Sequence, residues 1–339
     1  MIKEAISVLS QGKSLAWVEM EKVMTEIFSK KTTAAQIGAF LMALKMKGEK
    51  VEEILGGVTG MLSKAVRPKI KREDLIDLCG TGGDGRSTFS VSTISSFVAA
   101  GAGVGVAKHG NRSVSSRCGS ADLMEALGAD LSLSPLLAAK AVDDVGFGFL
   151  FAPLFHPAMR IALRPRQEIG VRTLFNIIGP LANPVRVKRQ LLGVYDENLL
   201  LPVSRALQMM GTEKALVVHS RDGLDEISVC APTQAFLVGP KKIKEMEIFP
   251  EEYGRKHKNL ASIQVRSVEE NVCIFRDVMA GKKGAARDMV LLNAGAAVFV
   301  SGAAADLRTG VEMARKSLDS GRAEQTFIEY MDWTRRKKS

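Results

Sequence analysis

Two segments of the chain, residues 80–85 and 108–122, contain the glycines, hydroxyls and basic side chains that bind phosphate groups. The first reads Gly-Thr-Gly-Gly-Asp-Gly and follows a short apolar run that is predicted to be a buried strand. Glycine lacks the Cβ atom that would keep the backbone from wrapping an anion. The second follows a predicted strand at 103–107 and contributes Lys108 and Arg112. Two such loops at neighbouring strand ends suit a ligand with two anionic groups, such as a sugar that carries a phosphate and a pyrophosphate.

A predicted helix between the two loops places further polar groups beside the first one. Its start carries hydroxyls at Thr88, Ser90, Ser92 and Thr93, and a helix N-terminus attracts negative charge. A single glycine-rich turn is often only a tight connection between a strand and a helix, and this spacing matches neither the dinucleotide fingerprint nor the Walker motif. The presence of both loops favours a phosphate site over two unrelated turns.

An acidic segment, residues 222–226, follows another predicted strand and ends in Asp225 and Glu226. Adjacent carboxylates repel each other unless a cation lies between them, and Mg²⁺ is bound by one or two carboxylates together with waters and substrate phosphates. The alternative is a turn around Gly223 with no ligand. Together with the phosphate loops, the segment predicts a pyrophosphate bound through magnesium.

Three arginines, Arg160, Arg164 and Arg166, lie within seven residues of each other. A guanidinium holds a carboxylate in a bidentate pair, so one of them could select an acidic substrate, but their spacing does not show which. The polar turn 179–184, with two prolines, is interpreted as architecture. His109 is either catalytic or a loop histidine with satisfied hydrogen bonds. No acid or base is required for transfer at a sugar carbon that carries pyrophosphate, because positioning and a metal-assisted leaving group supply much of the rate.

Composition restricts the class of protein. The 339 residues are 46% hydrophobic, which is enough for a sizeable core. A net charge of +10 fits polyanionic partners, an anionic small substrate or solubility alone. The 4 cysteines have no C-x-x-C spacing and indicate neither a zinc site nor a disulfide framework. The N-terminus has no secretory apolar core and no stretch is long enough to span a bilayer, so we expect a cytoplasmic protein with no membrane partner.

The elements that position these residues fall into two parts. Residues up to about 65 show helical periodicity, with a capping box at Thr33 and a terminating Gly48. Further along, short apolar strands alternate with helical stretches, which predicts an α/β fold with a mostly parallel central sheet flanked by helices. The predicted strands are 75–79, 103–107, 130–133, 147–151, 191–195 and 215–219, with an antiparallel hairpin at 226–238. We therefore expect a small N-terminal helical domain, residues 1–68, and a larger α/β domain, residues 69–339.

These motifs together resemble the anthranilate phosphoribosyltransferase family over nearly the whole chain. The most specific are GTGGDG at 80–85, KHGNRSVSS at 108–116, GSAD at 119–122, HPAM at 156–159 and DGLDE at 222–226. The resemblance implies Mg²⁺-dependent transfer of phosphoribosyl from 5-phosphoribosyl 1-pyrophosphate to the amine of anthranilate, in tryptophan biosynthesis. It also implies a homodimer formed through the helical domain, which later helices at about 165–190 can join.

The resemblance assigns site residues position by position. The substrate site would contain Gly80, Gly83, Asp84, Thr88, Ser90, Val91, Ser92, Thr93, Lys108, His109, Gly110, Asn111, Arg112, Ser113, Val114, Ser115, Ser116, Ser120 and Arg166. Of these, Gly80, Asn111 and Arg166 would meet anthranilate, with Arg166 on its carboxylate. Ser92, Asp225 and Glu226 would reach Mg²⁺ directly or through water. Two positions depart from the family pattern: Ser90 stands where Asn is common, and Cys118 where Ser is frequent.

Two other functions stay open from the sequence. A pyrimidine nucleoside phosphorylase-like enzyme would share the architecture, but it would need a phosphate nucleophile site and base-reading residues in place of Arg166. A non-catalytic nucleic-acid-binding relative would use the charge of +10 and would bind less tightly as salt is raised. The intact glycine and acidic motifs favour the transferase, with small-molecule substrates and no nucleic-acid partner.

Overall fold

The computed structural model describes residues 1–112, 118–254 and 256–336. Four of the expected site residues, Ser113, Val114, Ser115 and Ser116, lie outside the described residues. The N-terminal part is helical and consists of α1 (Ile2–Ser10), α2 (Trp17–Phe28), α3 (Ala34–Lys47) and α4 (Val51–Ser63).

Helices α2 and α3 form where apolar residues recur at helical spacing. The predicted apolar positions are buried, among them Met20 and Phe40. The Thr33 hydroxyl accepts from the Gln36 backbone N–H, and the Gln36 side chain accepts from the Thr33 N–H, so the predicted capping box is confirmed. Gly48 ends α3 with a φ of 83°. Helix α1, which the sequence pattern did not separate, packs on α2 and α3.

The described strands form one seven-stranded sheet. They are β1 (Leu75–Gly80), β2 (Gly105–Gly110), β3 (Phe147–Phe151), β4 (Arg189–Gly193), β5 (Lys214–Ser220), β6 (Thr233–Val238) and β7 (Ile243–Ile248). Their order is β3-β2-β1-β4-β5-β6-β7, with β1 to β5 parallel and β6 and β7 antiparallel, so the predicted mostly parallel sheet is confirmed. The direction of winding reverses between β1 and β4, which are neighbours in the sheet but not in the chain. Open sheets of this kind bind ligands beyond the carboxyl ends of the strands at such a switch point.

Eleven further helices lie in the described residues, and several of them pack on the faces of the sheet. They are α5 (Val91–Gly101), α6 (Ser120–Ala126), α7 (Pro135–Val145), α8 (Ala152–Phe155), α9 (Arg160–Ile169), α10 (Leu174–Leu181), α11 (Leu200–Met209), α12 (Val268–Met279), α13 (Ala285–Ser301), α14 (Leu307–Asp319) and α15 (Arg322–Arg336). No helix among the described residues is long and apolar enough to cross a membrane.

Two large apolar clusters stabilise the fold. In one, Phe97 of α5 contacts Phe147, Phe275, Phe327 and Tyr330, from β3, α12 and α15. In the other, α9 and α10 pack against helices of the N-terminal part. This packing supports the proposal that α9 and α10 belong with a helical domain whose chain boundary lies near residue 68.

Three local expectations are wrong. Residues 130–133 form no strand, because the Asp130 carboxylate accepts from the backbone and hydroxyl of Ser132 in a turn. The hairpin at 226–238 is wrong because residues before Thr233 form no strand, and β6 pairs with β5 and β7 instead. The strand predicted to end at residue 107 continues to Gly110, so Lys108 and His109 are strand residues, not loop residues.

Candidate active site

The glycine-rich loop lies at the carboxyl ends of β1 and β4. Gly82, Gly83 and Gly85 have φ angles of 64°, 72° and 74°, a region in which other residues are strained. The Thr81 N–H donates to the Gly193 carbonyl at 2.9 Å and ties the loop to β4. The loop therefore turns sharply at the switch point with a backbone free of side chains.

Asp225 contacts this loop from the acidic segment. Its Oδ2 accepts from the Gly82 N–H at 2.7 Å. A Cβ atom at Gly80 or at Gly193 would overlap Asp225. The structure thus brings the first phosphate segment and the acidic segment together, and two glycines, Gly80 and Gly193, make that close approach feasible.

Three carboxylates, those of Asp84, Asp225 and Glu226, interact with one another here. Burial, and then the Asp84 carboxylate, raise the pKa of Asp225 to about 7. Burial, and then Asp225, raise the pKa of Glu226 well above its usual range, while Lys108 opposes the shift. Asp84 Oδ2 is buried without a hydrogen-bond partner among the described atoms. No salt bridge of the described residues involves any of the three carboxylates.

This set of oxygens fits a hard divalent cation. Buried carboxylates are costly unless a cation neutralises them, and Mg²⁺ prefers oxygen ligands and keeps several waters or substrate phosphates. The described residues contain no group of three or more His, Cys, Asp or Glu side chains that could hold a metal ion by themselves. A cation at Asp225 and Glu226 would therefore share its coordination with water or with a phosphorylated ligand.

Lys108 extends from β2 to the start of α5. Its ammonium donates to the Leu78 carbonyl at 2.6 Å and to Ser92 Oγ at 3.1 Å, and the side chain is buried. Burial lowers the pKa of Lys108, and Asp77 opposes this shift. Its charge therefore lies beside the Ser92 hydroxyl, inside the protein and not at the surface.

The start of α5 is held by Asn271, a residue that no motif indicated. The Ser90 N–H donates to Asn271 Oδ1 at 3.1 Å, and Asn271 Nδ2 donates to Ser90 Oγ at 2.9 Å and to Cys118 Sγ at 3.1 Å. The two positions that depart from the family pattern therefore share one buried amide. Asn271 lies 181 residues after Ser90, so sequence spacing carried no signal of this contact.

The other residues expected around this helix start have mostly structural contacts. Val91 is the first residue of α5 and is buried. Thr93 is buried with its hydroxyl unpartnered among the described atoms. Thr88 pairs with Gln264 in an isolated β-bridge. Of this group, Thr93 offers a polar atom with free hydrogen-bonding capacity.

The described part of the second phosphate segment is tied to α6. The Arg112 guanidinium lies 3.1 Å from Asp122 and 2.7 Å from Glu125, and these hydrogen bonds raise its pKa. Ser120 Oγ donates to the Asn111 carbonyl at 3.2 Å. The guanidinium of Arg112 is thus paired with two carboxylates of α6.

His109 and His156 form a buried pair whose ring centroids are 5.2 Å apart. Burial lowers the pKa of His109 well below its usual range and that of His156 to about 4, so both are neutral at pH 7. His156 Nε2 lies 2.9 Å from the Ala182 carbonyl and donates to it. His109 Nε2 and His156 Nδ1 have no hydrogen-bond partner among the described atoms. His109 is therefore not the satisfied loop histidine that was one of the two expectations.

The structure distinguishes the three arginines of the cluster. Arg160 is exposed, and Arg164 is exposed and pairs with Glu168 at 2.7 Å. Arg166 is partly buried, its guanidinium lies 5.4 Å from the Phe175 ring centroid, and burial lowers its pKa. Among the described residues no acidic side chain forms a salt bridge with Arg166. A desolvated guanidinium without a carboxylate can be completed by a carboxylate ligand.

An open groove of about 910 Å³ lies beside Asp84. Its lining includes Asp84, Arg86 and Gly223 together with Glu245 and Glu247 of β7. The lining reaches the acidic segment at Gly223 but includes neither Asp225 nor Glu226, and its glutamates disfavour an anionic ligand.

Known proteins are similar to this chain in both of its parts. The α/β domain of the glycosyl transferase family matches residues 72–324, and the helical bundle domain of that family matches residues 3–65. The chain is 47% identical over 333 residues to the anthranilate phosphoribosyltransferase of Aquifex aeolicus, and the match covers 98% of each protein.

Solved structures are also similar to this chain over nearly its whole length. A crystal structure of anthranilate phosphoribosyltransferase from Thermus thermophilus aligns with a TM-score of 0.91 at 38% identity, over 98% of this chain and 99% of that chain. The enzyme of the same name from Saccharomyces cerevisiae, in complex with PRPP and Mg, aligns with a TM-score of 0.90 at 26% identity, over 99% of this chain and 98% of that chain.

Proposed function

The chain belongs to the anthranilate phosphoribosyltransferase family, and from this we propose that the carboxyl ends of β1 and β4 bind 5-phosphoribosyl 1-pyrophosphate and anthranilate. The enzyme transfers the phosphoribosyl group to the amine of anthranilate and releases pyrophosphate, a step of tryptophan biosynthesis. The observation that carries the assignment of the site is the contact between Asp225 and the Gly82 amide, because it joins the acidic and the glycine-rich motifs at one strand end.

The donor is held by backbone and hydroxyl groups at the switch point. The backbone of the glycine-rich loop beyond Gly82 and the N-terminus of α5 face the anionic groups of the donor, where a helix start favours negative charge. The second segment, from Asn111 onward, takes the other anionic end. We assign Lys108 an electrostatic role, since its ammonium is buried against Leu78 and Ser92.

Asp225, Glu226 and Ser92 are the residues that would hold Mg²⁺, directly or through water. The bound ion would neutralise charge on the pyrophosphate and improve it as a leaving group. The support for this assignment is that the Asp225 and Glu226 carboxylates lack a salt-bridge partner among the described residues and that burial raises the pKa of both.

Anthranilate is oriented by its carboxylate on Arg166. A bidentate pair fixes the plane of the carboxylate, and with it the direction of the neighbouring amine. The aromatic amine is neutral near pH 7 and needs orientation more than activation. As the bond from its nitrogen to the ribose carbon forms, the bond to pyrophosphate breaks and one proton leaves the nitrogen for solvent. Burial lowers the pKa of His109 well below its usual range, so His109 is neutral at pH 7.

The reaction is tested by following anthranilate fluorescence in the purified protein. We expect loss of the signal only when both 5-phosphoribosyl 1-pyrophosphate and Mg²⁺ are present, with pyrophosphate released in equal amount. Thymidine with phosphate should give no product. Loss of signal without the donor, or phosphorolysis of thymidine, would overturn the proposal.

We also propose a homodimer formed through the helical domain. Large apolar side chains are exposed on its helices, among them Trp17 and Val18 of α2, Met46 of α3 and Leu163 of α9. Exposed apolar side chains mark a partner surface where they form one contiguous patch, and a patch on these helices is what the proposed dimer requires. Light scattering after size exclusion measures the mass directly, and a mass of one chain would contradict the dimer.

A further inference from the structure

The parallel ladder between β1 and β2 stops before the strands end. Its register pairs Leu75 with Gly105 and Ile76 with Val106, and no further pair follows in these described strands. On the other sides the ladders continue to the last residues: β1 pairs with β4 as far as Gly80, and β2 pairs with β3 as far as Gly110. The carboxyl ends of β1 and β2 therefore separate, just where the two phosphate segments begin.

Because the strands separate, side chains form hydrogen bonds with the backbone groups that the ladder would otherwise have paired. A ladder continued in the same register would join the Leu78 carbonyl to the His109 N–H. Instead the Leu78 carbonyl accepts from Lys108 Nζ at 2.6 Å, and the His109 N–H donates to Asp77 Oδ1 at 3.1 Å. The Ala107 carbonyl of β2 accepts from Asn183 Nδ2 at 2.9 Å.

Asp77 and Asn183 form one buried unit. Asn183 Nδ2 donates to Asp77 Oδ2 at 2.9 Å, and Asn183 Oδ1 accepts from the Val185 N–H at 3.1 Å. Asp77 is 0% exposed and Asn183 is 3% exposed. Burial of a carboxylate is unfavourable even when it is hydrogen-bonded, and burial raises the pKa of Asp77 to about 6. A continued backbone ladder would have avoided this cost.

We propose that Asp77 and Asn183 are positioning residues that hold the ends of β1 and β2 apart and so set the distance between the two phosphate segments. The proposal rests on the proposed function of these segments in binding the donor. Neither side chain needs to touch a substrate, because each acts through the backbone of β2. The separation sets how far the glycine-rich loop after β1 lies from Asn111 and Arg112, the described residues that follow β2.

Asp77→Asn is the direct test. An asparagine has one acceptor oxygen, so it can accept from either the His109 N–H or the Asn183 amide, and its own amide group then faces the other donor. We expect the KM for 5-phosphoribosyl 1-pyrophosphate to rise roughly tenfold, with the KM for anthranilate within about twofold of wild type. Asn183→Ala is the second variant: it removes the hydrogen bonds to Asp77 and to the Ala107 carbonyl, and we expect the same direction of change in the donor KM.

Glu53→Gln is the matched control. Glu53 is also fully buried, and it accepts from the Leu15 N–H at 3.0 Å and the Lys50 N–H at 2.8 Å, within the helical part. Its replacement should lower the melting temperature and leave both KM values unchanged. Hydrogen exchange measured over peptide 105–110 adds a structural readout: it should become faster in Asp77→Asn and stay as in wild type in Glu53→Gln.

The double variant Asp77→Asn with Asn183→Asp tests the coupling. An aspartate at 183 can accept from the new amide, which frees the new oxygen for the His109 N–H, but it leaves the Ala107 carbonyl without its donor. We expect partial recovery of the donor KM relative to the single variants.

Additive losses in the double variant, or a donor KM in Asp77→Asn equal to that of Glu53→Gln, would overturn the positioning role. A calorimetric titration of wild type with the donor and Mg²⁺ is run first. If it shows no binding, the proposed function fails, and that failure is distinct from a wild type that binds while its Asp77 variants bind equally well.

Discussion

Replacement of Arg166 by alanine should weaken the binding of anthranilate and leave donor binding nearly unchanged. Arg166 is the member of its cluster that burial desolvates, as its lowered pKa reflects. A hydrogen bond to a charged group contributes about 1.5–3 kcal/mol. At 1.4 kcal/mol for a factor of ten, this corresponds to an anthranilate KM roughly 10 to 150 times that of wild type.

Two further variants separate charge from geometry. Arg166→Lys keeps the positive charge but replaces a planar fork by a point charge, so we expect an intermediate rise in the anthranilate KM. Arg164→Ala is the matched control on the same helix, because Arg164 is 84% exposed and pairs only with the exposed Glu168 at 2.7 Å in the described residues. Its loss should change either KM by less than about twofold.

The assay follows anthranilate fluorescence at saturating donor and Mg²⁺, and then varies the donor at saturating anthranilate. An anthranilate KM in Arg166→Ala that stays within about twofold of wild type would refute the role of the guanidinium. An equal rise in Arg164→Ala would refute the argument from burial. A rise in both KM values for Arg166→Ala would mean that the variant disturbs the whole site.

Three further changes test other parts of the site. Glu226→Gln removes one buried carboxylate, so the Mg²⁺ concentration for half-maximal activity should rise by about tenfold or more, and an unchanged magnesium titration would contradict the metal assignment. Asn271→Ala removes hydrogen bonds to Ser90 and Cys118. It should lower the free energy of unfolding by about 2–4 kcal/mol and raise the donor KM. A melting temperature and a donor KM equal to those of wild type would contradict this role of Asn271. Burial holds the pKa of His156 at about 4, against 6.5 in the unfolded chain, so the unfolded state binds more protons and the free energy of unfolding should fall by about 3 kcal/mol as pH drops from 6.5 to 4. Urea unfolding at several pH values should show this loss in wild type and a smaller loss in His156→Asn, and equal slopes would show that His156 is not its source.

Local sequence patterns were sufficient to predict several helices and strands. The helical spacing of Met20 and Phe40, and the capping box at Thr33, depend on residues within a few positions of each other. The alternation of strands and helices predicted the parallel sheet for the same reason. At 130–133 the local pattern was compatible with a strand or a turn, and the hydrogen bonds of the Asp130 carboxylate with Ser132 stabilise the turn.

The chemistry of the ligand was also readable from residue types. Glycines in the first loop, paired carboxylates at Asp225 and Glu226, and an arginine cluster indicate a doubly anionic donor, a divalent ion and an acidic acceptor. These inferences need only the chemical nature of each side chain and its place after a strand. They do not need to know which distant residue it meets.

Contacts between distant parts of the chain had to come from the fold. Asn271 meets Ser90 across 181 residues, and Asn183 meets Asp77 across 106. Burial likewise separates Arg166 from its exposed neighbour Arg164. The sequence by itself determined the secondary structure of its strongly periodic segments and the kind of groups the site presents. The tertiary structure alone decided which buried polar groups satisfy one another, because hydrogen bonding and desolvation depend on distances that sequence spacing does not contain.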